Sequence, residues 1–189
     1  MYELIILSLL CRGAVHGYLI SSVIDDVVGP FARASNGRIY PLLSKLEEDG
    51  LITVDHEETS DGGRVSRTFE ISATGRVRFR QLMMDTASSP REYRDLFAFK
   101  VTAFDQIESA DRVALLQHYI EFARAHVRHL EAQGRDLAEA TYGHSKPQRA
   151  RFANVFEHLV GNWEREATWA TVMLASESHG PQTKRPRRR

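Results

Sequence analysis

The spacing of apolar residues predicts three helices at the start of the chain. An almost continuous apolar run occupies residues 2–11, and amphipathic segments follow at 16–28 and 35–49. In the last segment, apolar side chains recur every three or four residues, which is the period of a helix with one buried face. Ser35 is placed to cap this third helix at its start, and Gly50 is placed to stop it.

Two strands and a fourth helix are predicted next. After residue 50 the apolar period falls to two, which predicts a strand over 51–56 with Val54 and His56 on the same face. A polar turn containing a Gly-Gly pair leads to a second strand over 65–71, so the two strands should form a hairpin. Helical spacing then resumes over 75–86.

The second half of the chain reads as helical throughout. A Ser-Ser-Pro sequence at 88–90 marks a domain boundary, followed by a short helix near 91–104 and long helices at about 109–141 and 147–177. Both long helices carry apolar stripes with the alternating three- and four-residue steps of a coiled coil. Because the chain offers little to cover these stripes, a second copy is the expected partner. The predicted dimer interface comprises Val113, Leu116, Ile120, Val127, Leu130, Phe156, Leu159 and Trp163.

Composition and charge limit the function only in part. The 189 residues hold 25 Lys+Arg and 25 Asp+Glu, and the first 86 residues carry 9 basic and 12 acidic side chains, which does not favour a nucleic-acid partner. The basic residues are nevertheless clustered locally, at 33–45 and 62–80. One cysteine excludes a disulfide within the chain and favours a reducing compartment. No segment approaches the ~20 apolar residues of a membrane span, so we expect a cytoplasmic protein without a membrane partner.

The order of elements nevertheless points to double-stranded DNA. Three helices, a hairpin and a fourth helix form a winged helix-turn-helix, in which the third helix enters the major groove and the hairpin lies over the backbone. Arg38 can donate to O6 and N7 of a guanine, while Tyr40 and Lys45 suit phosphate oxygens. The predicted DNA-binding residues are Tyr18, Ser35, Asn36, Gly37, Arg38, Tyr40, Ser44, Lys45, Arg64 and Arg67.

Three sequence blocks resemble the PadR family of transcriptional regulators. They are HGYLI at 16–20, NGRIYPLLSKLEEDGLI at 36–52 and RTFEISATGR at 67–76, in the order and spacing of that family. The two long C-terminal helices resemble its larger, virulence-activator-like subfamily. The resemblance implies a homodimeric DNA-binding regulator, usually a repressor, and in some members a small-molecule effector. Two residues depart from the family pattern: Arg38 replaces a small Ser or Thr, and Phe69 replaces a tyrosine.

The expected fold is therefore mainly α. It has a winged helix-turn-helix with a two-stranded wing over 1–88, a helical dimerisation domain with a potential effector site over 89–178, and a disordered basic tail over 179–189. The alternative is a helical adaptor that keeps this fold and binds an effector or a protein, not DNA. The acidic balance of the first 86 residues favours that alternative, whereas the local clusters of arginine and lysine favour DNA.

Three other functions are disfavoured. We expect no enzyme, because the sequence contains neither a phosphate-binding glycine loop nor a coherent set of catalytic residues. His118, Glu121, His126 and His129 share a helix, but they lack a cysteine partner and a common face, so no metal or other cofactor is expected. A further set of aromatic side chains could line a pocket for a small aromatic effector, although helical spacing favours a core or a dimer interface. This set comprises Tyr119, Phe122, Trp163 and Trp169.

Overall fold

The structure is a computed structural model, and it describes residues 1–29, 36–59, 65–87, 92–139 and 145–178. The elements are α1 (Tyr2–Cys11), β1 (Val15–His16), α2 (Gly17–Val28), α3 (Asn36–Glu48), β2 (Ile52–Thr59), β3 (Val65–Ile71), α4 (Ala73–Met84), α5 (Tyr93–Thr102), a 3₁₀ helix (Phe104–Gln106), α6 (Ser109–Glu139) and α7 (Lys146–Ser178). Within these ranges, no helix has both the length and the apolar character needed to cross a membrane.

The chain divides into two compact units, residues 1–107 and 108–189. The sequence placed the boundary at 88 and 89, but α5 and the 3₁₀ helix group with the first unit. Tyr93, Phe97 and Phe104 provide a reason, because all three are buried and Phe97 contacts both other rings. The dimerisation role of the second unit stays a prediction.

The core of the first unit forms around α1. This helix is buried on nearly every side, as expected for a helix with apolar residues all around it. It packs against α2, α4 and β3, while α3 packs against α2 and β2. The three helices, the hairpin and α4 follow the predicted order, and the winged helix-turn-helix class is confirmed.

The two-stranded wing, β2 and β3, is confirmed, and a short additional strand, β1, gives the sheet three strands. Its order is β1-β3-β2, and both pairs are antiparallel. In the additional strand, Val15 pairs with Phe69 and His16 pairs with Thr68. A strand of two residues shows no alternation in the sequence, so periodicity could not reveal it.

A bulge in β2 changes which residues share a face. Val54 is opposite Phe69, whereas His56 is opposite Thr68, with a shift of register between them. Because adjacent residues of β3 point to opposite faces, Val54 and His56 also lie on opposite faces. The prediction that they share a face was therefore wrong. The strand also continues to Thr59, three residues beyond the predicted end.

Tight turns connect α3 to β2 and β3 to α4. Gly50 adopts φ +70°, and the amide of Leu51 donates to the carbonyl of Leu46, so the glycine ends α3 as predicted. The amide of Gly75 donates to the hydroxyl of Ser72, which caps α4. A Cβ on Gly75 would lie 2.0 Å from the Leu51 carbonyl oxygen, so only glycine permits this approach.

The end of α4 is joined to α5 by a buried lysine. Lys100 is fully buried, its ammonium donates to the carbonyl of Asp85, and it lies 5.7 Å from the centroid of the Tyr93 ring. Burial lowers the pKa of Lys100 to about 8, and the nearby Asp85 carboxylate only partly opposes this shift. Burial also raises the pKa of Tyr93. This lysine therefore serves the structure of the first unit.

In the second unit, α6 and α7 form an antiparallel pair. Near one end, Arg112 forms an ion pair of 2.8 Å with Glu177. Near the other end, Gly134 faces the Phe156 ring, which would lie 3.6 Å from a Cβ at that glycine. The two helices thus cover much of each other's apolar stripes within one chain.

Candidate nucleic-acid interface

The third helix, α3, separates apolar from polar residues by face. Ile39, Leu43 and Leu46 are buried, and an exposed polar face remains. This exposed face contains Arg38, Tyr40, Ser44 and Lys45. The helical period alone produces this division, because the buried residues recur at steps of four and three. These four residues, all predicted to contact DNA, therefore lie where a duplex could reach them.

Arg38 is exposed near the start of α3. Within the described ranges, it has no hydrogen-bond or ion-pair partner. Its guanidinium is thus available for a bidentate contact with a guanine or with a phosphate. The first N–H groups of any helix lack a partner within the helix, which favours an anion at this end of α3.

Lys45 lies one turn from the end of α3. Its ammonium forms an exposed ion pair with Asp49, at 3.1 Å. An exposed pair of this kind contributes only about 0.3–0.5 kcal/mol, so a phosphate can replace the carboxylate at little cost. Glu47 and Glu48 follow on the same helix, which limits attraction for DNA to the part of α3 that precedes them.

Two tyrosines extend the polar face of α3 onto α2. Tyr18 and Tyr40 are 58% and 45% exposed. They lie close to Gly17, since a Cβ on that residue would be 3.5 Å from Cε1 of Tyr40 and 3.2 Å from the buried Phe69 ring. The first turn of α2, the middle of α3 and the sheet therefore meet at this glycine.

His16 belongs to this surface, although the sequence pattern indicates it only as the start of α2. Its ring stacks on Tyr18 with centroids 5.7 Å apart, and its Nδ1 is 2.8 Å from the Thr68 hydroxyl. The residue is exposed and precedes the first turn of α2. In the sequence, the HGY motif at 16–18 was the signal that could have identified this residue. In the fold, the His16 ring lies between Thr68 of the sheet and the ring of Tyr18.

Arg67, which the sequence predicts to contact DNA, is paired with two carboxylates, and its contact with DNA stays a prediction. Its Nε donates to Glu57 at 3.0 Å, while its two terminal nitrogens donate to the two carboxylate oxygens of Glu47 at 3.3 and 3.4 Å. Its guanidinium also lies 5.8 Å from the centroid of the Phe69 ring. The charge pattern of the sequence showed a cation on the wing, but not the two carboxylates that surround it.

Some predicted contacts cannot be placed. Ser35 and Arg64 lie outside the described residues. Asn36 and Gly37 form the first turn of α3, and only their backbone is described. The structure exposes Tyr18 on α2 and Arg38, Tyr40, Ser44 and Lys45 on α3, and their role in binding DNA stays a prediction.

The predicted dimer interface is only partly available for a second chain. Leu116 and Ile120 are buried within the chain, so they leave no surface for a partner and these two predictions are corrected. Leu159 is exposed. The remaining five residues are half-buried: Val113, Val127, Leu130, Phe156 and Trp163. The stripe pattern identified the apolar faces, but α6 and α7 use part of them for each other.

Other apolar residues of α7 face outwards. Val155, Trp169 and Val172 are exposed together with Leu159, and Val172 is 62% exposed. Val172 also borders an open groove of about 610 Å³ between α6 and α7. The other residues that line this groove are Arg124, Val127, Arg128, Glu164, Ala167, Thr168 and Thr171.

The aromatic side chains considered for an effector pocket pack on one another. Phe122 meets the edge of Trp163 at 5.6 Å, and Tyr119 meets the edge of Trp169 at 6.3 Å. His126 stacks on Trp163 at 4.2 Å, and the Tyr119 hydroxyl donates to Glu166. The four aromatic side chains are therefore engaged in contacts between α6 and α7. Among the described residues, no three His, Cys, Asp or Glu side chains are grouped to hold a metal ion.

Comparison with known proteins finds a match to a family model within the first unit. Residues 6–81 match the model of the transcriptional regulator PadR-like family. The negative transcriptional regulator PadR of Bacillus subtilis (strain 168) is 27% identical over 110 residues, which are 56% of this chain and 59% of that protein. The match thus spans less than two thirds of that relative's length.

Solved structures of other proteins superpose only loosely on this chain. B. subtilis PadR in complex with operator DNA gives a TM-score of 0.41 at 20% identity, covering 92% of this chain and 96% of that chain. The same protein with p-coumaric acid gives 0.39 at 20% identity, with 93% and 94% covered. The Vibrio cholerae virulence activator AphA gives 0.38 at 22% identity, with 95% and 99% covered. These loose superpositions say nothing about the ligands of this chain.

Proposed function

We propose that this chain, whose residues 6–81 belong to the PadR-like family of transcriptional regulators, is a cytoplasmic repressor that binds specific DNA sequences as a homodimer. The observation that carries the proposal is the exposed start of α3. Arg38 is there without a carboxylate partner in the described ranges, and the half-exposed ring of Tyr40 emerges elsewhere on the exposed side of α3. A helix that presents an unpaired guanidinium and a phenol beside its own N-terminus suits the major groove of DNA.

The contacts divide into base recognition and backbone binding. Arg38 reads a guanine through O6 and N7, and this contact supplies the sequence preference. Tyr18, Tyr40, Ser44 and Lys45 bind phosphate oxygens and fix the register of α3 on the duplex. The backbone amides of Asn36 and Gly37 add a phosphate contact at the helix N-terminus, and Ser35 and Arg64 would extend the same surface.

Dimerisation would place two copies of α3 on one DNA molecule. The exposed apolar residues of α7, particularly Leu159 and Val172, support this part of the proposal, because a second copy could bury them. Two-fold symmetry in the protein requires a pseudo-palindromic operator. Its half-sites would be about 34–36 Å apart, or a multiple of that distance.

Repression would follow from occupation of promoter DNA. The B. subtilis relative is named a negative regulator, which supports this output. A small aromatic effector would release the DNA only if it binds the released arrangement of the dimer more tightly than the DNA-bound one. Because Phe122 and Trp163 already contact each other, such an effector would have to separate these rings or bind in the open groove nearby.

The proposal is tested with DNA from immediately upstream of the gene for this chain. Full-length protein is titrated against that DNA at two salt concentrations, with unrelated DNA of equal length as competitor, and the bound region is footprinted. We expect binding that survives the competitor and a protected region with two-fold symmetry. Binding that the competitor removes, and that collapses at the higher salt, would count against this operator. A random duplex library with no enriched sequence would overturn the proposal.

One observation favours an adaptor that does not bind DNA. Residues 1–86 carry more acidic than basic side chains, and two of their cations, Lys45 and Arg67, are already paired with carboxylates. An adaptor would use the same fold to bind a protein or an effector. Substitution of Arg38 separates the two functions, because it removes specific DNA binding only if the chain is a DNA-binding protein.

A further inference from the structure

Arg67 lies at the meeting point of three elements of the first unit. It belongs to β3, and its guanidinium contacts Glu57 on β2 and Glu47 on α3. Glu57 and Arg67 are directly opposite each other in the antiparallel pair, so the register of the sheet brings their side chains together. Glu47 then reaches the same guanidinium from the last turns of α3.

All three nitrogens of the guanidinium are used in these contacts. The two terminal nitrogens meet the two oxygens of Glu47 in parallel, a forked geometry that fixes orientation as well as distance. The remaining nitrogen, Nε, meets Glu57 at 3.0 Å. The three side chains are only 39%, 33% and 51% exposed for Arg67, Glu47 and Glu57. Although one exposed pair contributes little, a cation held by two carboxylates forms a small network.

We propose that Arg67 is a positioning residue that holds the wing against α3 through Glu47 and Glu57, and not a residue that contacts DNA. The proposal rests on the proposed function, because the relevance of a fixed wing depends on DNA binding. We name Glu47, Glu57 and Arg67 the wing clamp.

Charge explains why the clamp does not serve as a phosphate contact. One cation between two carboxylates leaves a local net negative charge, which repels the DNA backbone. A free arginine at this position would attract the backbone. An acid near the C-terminal end of a helix opposes the helix dipole, so Glu47 does not stabilise α3 by itself. In the clamp, the same carboxylate connects α3 to the wing.

The clamp would set the angle at which the wing meets the duplex. The bulge at Val54 and His56 lies at the base of the same hairpin, and a bulge increases twist and bends a strand. A hairpin bent in this way needs a contact beyond the bulge to keep one orientation. Glu57 follows the bulge by one residue, so the clamp lies where such a contact is required.

Neutralising Glu47 distinguishes the clamp from a direct phosphate contact. If Arg67 contacted DNA, Glu47→Gln would release the guanidinium and remove a negative charge, so binding would tighten. If Arg67 positions the wing, the same substitution weakens specific binding by about three- to tenfold. Glu48→Gln is the matched control, because Glu48 is the next residue and an exposed acid outside the clamp. The control should leave binding unchanged or tighten it by up to about twofold.

Two further variants complete the test on a duplex that the wild-type chain enriches from random DNA. Arg67→Lys keeps the charge but loses the forked contact, so it should weaken specific binding as Glu47→Gln does. In the double variant Glu47→Gln/Arg67→Gln, the loss should not exceed that of Arg67→Gln alone, because both substitutions break one network. Wild-type affinity for Arg67→Lys, or tighter binding for Glu47→Gln, would overturn the proposal.

A measurement without DNA separates the clamp from the proposed function. Hydrogen exchange of the β2 and β3 amides should become at least about threefold faster in Glu47→Gln and Arg67→Gln, and remain unchanged in Glu48→Gln. Unchanged exchange in all three variants would overturn the clamp. If the wild-type chain enriched no DNA sequence, the proposed function would fail, and this exchange experiment would still decide whether the clamp holds the wing.

Discussion

The ring of Tyr40 lies against the backbone of Gly17, with its Cε1 3.5 Å from the position that a Cβ on this glycine would occupy. Phe69 approaches the same position to 3.2 Å. A residue with no side chain therefore allows α2, α3 and the sheet to meet. The contact also sets the position of Tyr40, which half emerges from the surface proposed to bind DNA.

A larger residue at this glycine should disturb that surface. Gly17→Val would place methyl groups against the rings of Tyr40 and Phe69, so we expect the free energy of unfolding to fall by about 1–3 kcal/mol. Specific DNA binding should weaken as well, because Tyr40 must move. Urea unfolding and binding titrations check the two effects. Ser22→Val, at an exposed site on the same helix, should change stability by less than about 0.5 kcal/mol.

Lys45 should contribute to binding without distinguishing between sequences. Lys45→Ala would remove one phosphate contact, so affinity should fall similarly for specific and unrelated DNA. The slope of log K against log salt should decrease by about 1. Titrations at four salt concentrations measure that slope. Lys146→Ala makes the same charge change at the start of α7, and an equal decrease in slope for this control would contradict a role for Lys45.

An acidic residue on the exposed face of α7 should separate the dimer. Val172→Asp would bury an unpaired charge in the proposed interface, so the dissociation constant of the dimer should rise by at least about tenfold. Sedimentation velocity across a concentration series measures this change. Ala98→Asp introduces the same charge on α5 and should leave the constant unaffected. A wild-type chain that stays monomeric at all concentrations would contradict the dimer directly.

The buried Lys100 should make stability depend on alkaline pH. Its pKa is about 8 in the folded state, against an ordinary value of 10.5. Below pH 8 both states carry the proton, so the folded state bears the cost of the buried charge. Between about pH 8 and 10.5 the unfolded state binds more protons, and the free energy of unfolding therefore rises with pH, by up to roughly 3 kcal/mol.

Lys100→Met removes this contribution while keeping a long side chain. The difference in unfolding free energy, wild type minus variant, should therefore increase between pH 8 and pH 10. Groups common to both proteins cancel in this difference. Urea unfolding at pH 7, 8.5 and 10 provides the values, and a difference that stays constant over this range would show that Lys100 does not titrate there.

The elements with strong periodicity were predictable from the sequence, and the shortest one was not. The third helix, α3, buries one face and ends at Gly50, so spacing and a stop signal agree on its position. The strand β1 has two residues, too few for any pattern. The sequence also could not show the bulge in β2, because alternation continues through Val54 and His56 while the paired strand shifts by one residue.

The sequence predicts which residues of the functional surface are exposed, but it does not predict which side chains form hydrogen bonds or ion pairs with one another. The polar face of α3 follows from its helical period, and Arg38, Tyr40, Ser44 and Lys45 are exposed as that period requires. Arg67 meets Glu47 from 20 positions away in the chain, which only the folded structure brings together. For the same reason, the stripes of α6 and α7 could not indicate that Leu116 and Ile120 would be covered within one chain.

The central claim is that Arg38 gives the chain its preference for one DNA sequence. The most direct measurement compares wild type and Arg38→Ala on an enriched duplex and on a scrambled duplex of equal composition. We expect the ratio of the two affinities to fall by about 5- to 150-fold in the variant, with Arg135→Ala on α6 as a charge-matched control that keeps the wild-type ratio. An Arg38→Ala variant with an unchanged ratio would contradict the account.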